Sequence, residues 1–244
     1  MRFSVFALSS VPDTATTRQL FGLDDLDDKS VSKVLFHRRK QQTGSSEILR
    51  WDQRAIAGLT LIQHSADNVG LNSMNFATHS EEDMLHAFFK AVPEQGRMVS
   101  WDDEDGGIPL LHFRTLKHAI SYPAYWQAFT SGADMHMDIR GWLSPPSGDR
   151  PTLDETTRKL GFPGQLNRTQ TSVMDAWLQG RHDEVQAYSD IKALNTYLLA
   201  LGLFTVTGDM TGHEHEQARN RLLDGLTKRD DEHLASFVTA WSKT

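Results

Sequence analysis

RFSVFALSSVPD, residues 2–13, decides the fold. The first seven residues alternate and are rich in β-formers, as a buried strand should be, and Val-Pro-Asp closes the segment with a turn. The end of the strand is unusual: Ala7, Leu8, Ser9 and Ser10 carry no ionisable side chain just where the chain turns. Residues 2–9 are therefore read as a first strand with a neutral end. A secretory signal is the less favoured reading, since Ser4, Ser9 and Ser10 interrupt a short apolar stretch.

Outward from this strand, residues 13–47 are polar and charge-dense, with an acidic run at 24–28 and a basic run at 37–40, and are read as a helix and a mobile loop. AIAGLTLI, 55–62, predicts a second strand and residues 69–77 a third. Ser80 followed by three acids predicts a helix start, because acids there meet the positive end of the helix dipole. RMVSW, 97–101, predicts another strand, an acidic Gly-Gly loop follows, and Pro109 opens a helix. MHMDI, 135–139, predicts a last strand, and beyond SPPSGDRP helices are expected at 152–160, 170–179, 181–201, 213–227 and 231–242. Strands early with helices interleaved, then helices alone, imply an α/β fold with a helical C-terminal cap.

Bulk composition narrows the function. The 244 residues, 39% hydrophobic, suffice for a substantial core. With 32 acidic against 25 basic residues the formal charge is −7, which argues against a broad basic surface binding nucleic acid by counterion release alone. There is no cysteine, so disulfides, thiolate nucleophiles and Cys-based zinc sites are excluded. No run has the length of a membrane span, so no membrane partner is expected and a cytoplasmic location is the default.

Five segments, in order, resemble the predicted 3′-5′ exonucleases related to the proofreading domain of B-family DNA polymerases, a DEDD branch with an RNase H-like fold: VFALSSVPD, VSWDDEDGGIPLLHFRTL, HMDIRGWL, LGFPGQ and LQGRHDEVQAYSDIKALNTYLL. The resemblance implies an RNase H-like mixed sheet flanked by helices over residues 1–205, with 206–244 as a helical extension packed on the same domain. It also implies two divalent ions, Mg²⁺ or Mn²⁺, held by four carboxylates. Carried over position by position, those carboxylates fall on Ala7, Ser9, Gly107 and Lys192, and only the family's tyrosine is retained, as Tyr188. Two-metal phosphoryl hydrolysis needs hard oxygen ligands. Alanine and glycine offer none, serine is a weak neutral donor, and a lysine ammonium repels cations. No metal or other cofactor is therefore expected, and the chain reads as a pseudonuclease with no intact catalytic residue.

Other acids are poor replacements. Asp102 to Asp105 read as a solvated loop beside glycines. Asp190 lies two residues before Lys192 and points elsewhere on a helix. His136 and Asp138 share a strand face and read as a hydrogen-bonded pair beside the core rather than as metal ligands. GHEHEQ, 212–217, reads as a polar helix start, since its histidines are two apart. Trp101 would flank the old cleft, with a role in base stacking the less favoured reading beside packing. The expected ligand is single-stranded DNA or RNA, met by Lys192, Arg114 and Lys117; the alternatives are a protein partner, with no nucleic-acid role, and an active exonuclease with rearranged acidic ligands.

Overall fold

The computed structural model describes residues 1–92, 96–102, 106–144 and 150–243. Among them a five-stranded mixed sheet forms in the order β3-β2-β1-β4-β5, from β1 (Phe3–Pro12), β2 (Arg54–His64), β3 (Val69–Asn75), β4 (Arg97–Ser100) and β5 (His136–Asp138). The β1–β2 and β2–β3 pairs are antiparallel, while β1–β4 and β4–β5 are parallel. This is the exonuclease-like α/β architecture the sequence implies.

All ten residues of β1 are buried, as a central strand covered on both faces must be. Its alternation sorts them: Phe3, Val5 and Ala7 enter the core beneath the long helix α9, while Phe6 and Leu8 enter the opposite core, under α3 and α4. Each large side chain so buried stabilises the fold by about 1.5–3 kcal/mol. Opposite Ser9 and Ser10 the partner strand carries an extra residue, Ala57 between Gly58 and Ile56, and this irregularity shifts the register of the β1–β2 pair.

The helices follow their caps. Residues 13–47 form two helices, α1 (Thr14–Phe21) and α2 (Asp28–Thr43), where the sequence suggested one and a loop; Asp13 and Asp27 cap them and Gly22 and Gly44 end them in the left-handed conformation. α3 (Glu81–Ala91) starts at Ser80 with a capping box, and α4 (Gly107–Lys117) starts two residues before Pro109. Two short helices escape the sequence reading, α5 (Pro123–Thr130) and α6 (Ile139–Leu143).

After α7 (Leu153–Lys159) and α8 (Gln170–Leu178) comes α9 (His182–Thr207), buried on every side along most of its length. Such a helix has little amphipathic character because it lies inside the protein rather than on it. α10 (Gly212–Leu226) and α11 (Glu232–Trp241) set Leu222, Leu226, Leu234 and Phe237 into the same core as Leu198 and Leu201 of α9. The C-terminal helices thus share the main core. No helix among the described residues is long and apolar enough to cross a membrane.

Candidate functional site

Three elements converge at the middle of β1. Ala7 comes from the strand, Gly107 from the first turn of α4 and Lys192 from the middle of α9, and together with Ser100, Trp101 and Asp102 they line a cavity of about 10 Å³. That volume holds no more than one water. Lys192, expected at an open cleft, is 3% exposed. Its Nζ also lies 5.9 Å from the ring centroid of Tyr188, which is itself buried against Val11, Val173 and Val185. Ser9 is enclosed too, and its Oγ donates to the Val185 carbonyl at the start of α9 (2.8 Å).

Asp102 is the acid among the described lining residues, and it is not the solvated loop residue expected from sequence. Its Oδ1 accepts a bond from Ser100 Oγ (2.5 Å), its backbone N–H donates to Asp138 Oδ1 (3.1 Å), and its carbonyl accepts from Arg140 Nη1 (3.3 Å). Burial pushes its carboxyl pKa up, against the opposing influences of His136, the Ser100 hydroxyl and Lys192. Gly107 makes room for this carboxylate: a Cβ at 107 would collide with it, and the backbone there has φ +47°, a conformation side chains disfavour. Asp103, Glu104 and Asp105 lie outside the described residues.

The expected His136–Asp138 pair is replaced by two separate contacts. His136 Nε2 meets Ser100 Oγ (2.8 Å), and burial lowers its pKa. Asp138 Oδ2 instead accepts from Gly141 N–H (2.9 Å), capping α6. Both oxygens of Asp138 are thus committed to backbone donors, the helix cap and Asp102 N–H, because a carboxylate at a helix start satisfies amides that would otherwise lack partners.

Asp190 points away from Lys192, toward β2 and β3. It is 1% exposed and accepts bonds from Thr60 Oγ1 (2.6 Å), Ser73 Oγ (2.7 Å) and Gln186 Nε2 (3.0 Å), with His233 Nε2 at 2.8 Å from its other oxygen. The contact with His233 ties α11 to the centre of the molecule.

Arg114 sits inside an ion cluster, paired with Asp13 and with Glu81, and is 3% exposed. Lys117 Nζ meets Asp13 as well (2.7 Å). Burial alone would raise Asp13, but hydrogen bonds from Lys117 and Thr16 and the charge of Arg114 prevail and hold its carboxyl well below the usual range. A phosphate reaching Arg114 would have to displace two carboxylates. Sequence reasoning missed this cluster because its members lie 13 to 117 along the chain, and only the fold brings α1, α3 and α4 together.

Trp101 is fully buried and is packing material rather than an exposed stacking surface, and its indole N–H has no partner among the described residues. His213 bonds Gln217 and His215 bonds Thr205, as expected of a polar helix start rather than a metal motif. Among the described residues no group of three or more His, Cys, Asp or Glu is arranged to hold a metal ion.

The strand order and the convergence of β1, α4 and α9 make an α/β protein consistent with an exonuclease-like fold. A family profile described as a predicted 3′-5′ exonuclease related to the exonuclease domain of PolB matches residues 48–241, and the chain belongs to that family. No curated protein and no solved structure matches it. β1 precedes the matched residues, so the positions of Ala7 and Ser9 rest on the motif resemblance and on the strand's central place in the sheet.

Proposed function

We propose that this chain is a catalytically inactive 3′-5′ exonuclease-like protein, retained for binding single-stranded nucleic acid. One observation carries the reading: where the resemblance puts four metal-binding carboxylates, Ala7, Gly107 and buried Lys192 surround about 10 Å³ of space, and Ser9 is turned to a backbone carbonyl. These residues do not fit Mg²⁺ or Mn²⁺. A pair of hard divalent ions needs converging carboxylate oxygens, and a fixed ammonium group opposes each ion. At an effective dielectric near 20, a unit charge about 4 Å from a divalent ion is repelled by roughly 8 kcal/mol. Asp102 supplies one carboxylate, and Lys192 is among the charges that oppose the rise of its pKa.

The test is incubation of an end-labelled single strand with the protein and Mg²⁺ or Mn²⁺, alongside an electrophoretic shift with the same strand at low salt. Retention without degradation is the expected result. Chelator-sensitive degradation would establish the rearranged-ligand alternative and overturn the proposal.

A second reading, a protein-interaction subunit without a nucleic-acid role, is favoured by one surface. A groove of about 870 Å³ along α4 and α5 is almost wholly apolar, and Trp51, Leu116 and Phe129 on it are exposed. Failure of the strand to shift, with a stoichiometric protein partner recovered from native extract, would select it.

A further inference from the structure

The cavity beside Ala7 and Lys192 holds no more than one water, but a second cavity opens a few residues further along β1. Beyond the register shift, Ser10, Val11 and Pro12 form the floor of a groove of about 510 Å³. One wall is a single face of α2: Lys29, Ser32, Lys33 and Phe36 follow the i, i+3, i+4, i+7 spacing of neighbours on a helix. The other is a face of α8, with Gln170, Met174 and Leu178. Ile48 and Leu49 close one side.

The chemistry of these walls is specific. Phe36, Leu49, Val11, Met174 and Leu178 give it an apolar body. Two buried polar atoms on opposite walls have no partner among the described residues: the Ser32 hydroxyl, on a side chain 1% exposed, and Gln170 Oε1. Gln170 is oriented by its own amide, whose Nε2 donates to the Ser10 carbonyl (2.6 Å), which leaves its oxygen as the acceptor without a donor. Buried groups of this kind cost about 1–3 kcal/mol each until something pairs with them. At the rim, Lys29 and Lys33 are exposed ammonium groups on the same helix face; the lining also holds Asp175, Glu47, which pairs with Lys40 (3.0 Å), and Arg54, which donates to the Leu49 carbonyl.

We infer that this groove is a nucleotide seat: the base enters between α2 and α8, offers an N–H to Gln170 Oε1 and an acceptor to the Ser32 hydroxyl, and its phosphate meets Lys29 and Lys33. An aliphatic acid would match the apolar walls and the lysines but leave Gln170 Oε1 without a donor. A nucleobase supplies flat apolar faces together with edge donors and acceptors. The same chemistry is presented by a free nucleoside monophosphate and by the terminal nucleotide of a strand. The inference rests on the binding reading above and gives it a location away from Lys192.

The experiment measures binding of adenosine 5′-monophosphate, inorganic phosphate, decanoate and a fluorescent ten-nucleotide single strand to the whole chain, by calorimetry and anisotropy. The variants are Lys29→Glu with Lys33→Glu, and Met174→Trp, which fills the groove from a half-buried position; thermal melting confirms that each is folded. Binding of the monophosphate or the strand, weakened about tenfold or more by both variants, with phosphate and decanoate failing to bind, is the expected result. If the monophosphate binds and the strand does not, the groove is a mononucleotide site and the strand reading falls. If the strand binds and neither variant weakens it, the groove is overturned while the strand reading stands. If neither nucleotide form binds, or decanoate binds in their place, the groove proposal is overturned.

Discussion

Replacing Lys192 by methionine tests whether the lysine is the internal counter-charge of Asp102. The two residues line one cavity of about 10 Å³, and among the influences on the Asp102 carboxyl the lysine charge ranks behind burial, His136, Ser100 and Asp138. Methionine keeps most of the volume and removes the charge from beside a half-buried carboxylate that keeps its bond from Ser100. A pair of that kind contributes on the order of 1 kcal/mol, so the expected loss is about 1–2 kcal/mol at pH 8, or roughly 2 to 8 °C in Tm for a chain of this size.

The pH dependence gives the sign. Asp102 has its pKa raised above 3.8 in the folded state, so folding takes up a proton there, and the group's contribution to stability is greatest at low pH and declines as pH rises through the raised value. Lys192 is one of the influences that oppose the rise, so removing it carries the window upward. The variant therefore loses less stability relative to the parent at pH 5 than at pH 8. His136, whose lowered pKa acts in the opposite sense, with stability lost as pH falls, is present in both proteins but responds to the charge on Asp102, so its share is read from the Asp102→Asn chain. Urea unfolding of both chains at the two pH values measures it, with Asp102→Asn completing a double-mutant cycle. A loss under 1 kcal/mol at pH 8, or one that does not change with pH, would refute the counter-charge reasoning.

Three further outcomes are expected. Gly107→Ala destabilises by about 2–4 kcal/mol, because the new Cβ meets the Asp102 carboxylate at a positive φ, and calorimetric unfolding enthalpies and midpoints will show it. Arg114→Met leaves Asp13 with Lys117 and Glu81 with His118 and the Ile56 N–H but removes the buried cation between them, and costs about 2–4 kcal/mol; the parent also loses stability as pH falls below the usual carboxylate range, because Asp13 must then take up a proton its folded site resists, and acid titration followed by circular dichroism checks both. Millimolar Mn²⁺ leaves Tm unchanged within error, whereas a site with a dissociation constant a hundredfold below the ion concentration would add about 2.7 kcal/mol, readable as a clear upward shift in a thermal scan.

Much of the fold was legible because local rules and long-range packing agree. The alternation of β1 matches two cores, Ser80 caps α3 as its acids suggest, and the apolar AIAGLTLI is a buried strand. Where the reading failed, local signals were weak or misleading. The α1–α2 pair hides in a charge-dense segment whose caps, Asp13 and Asp27, look like any other acids. Of the site only residue type could be read in advance: positions 7, 9, 107 and 192 carry no carboxylate. Which groups surround them depends on tertiary placement, so that Asp102, read as a loop acid, lines the same cavity, while Arg114, read as a nucleic-acid contact, is committed to two carboxylates.

The pairing of β1 shapes how the chain must assemble. Its antiparallel neighbour β2 begins about forty residues after β1 ends, and its parallel neighbour β4 begins about forty residues after β2 does, so the central strand can complete neither ladder until distant segments arrive. The β2–β3 hairpin, closed by a four-residue connection, has no such wait. Loop-closure entropy therefore favours hairpin first and central strand later. In pulsed hydrogen exchange during refolding, amides of residues 58–75 gain protection before those of 3–8, and the segment with the deepest burial in the finished molecule is among the last to be enclosed.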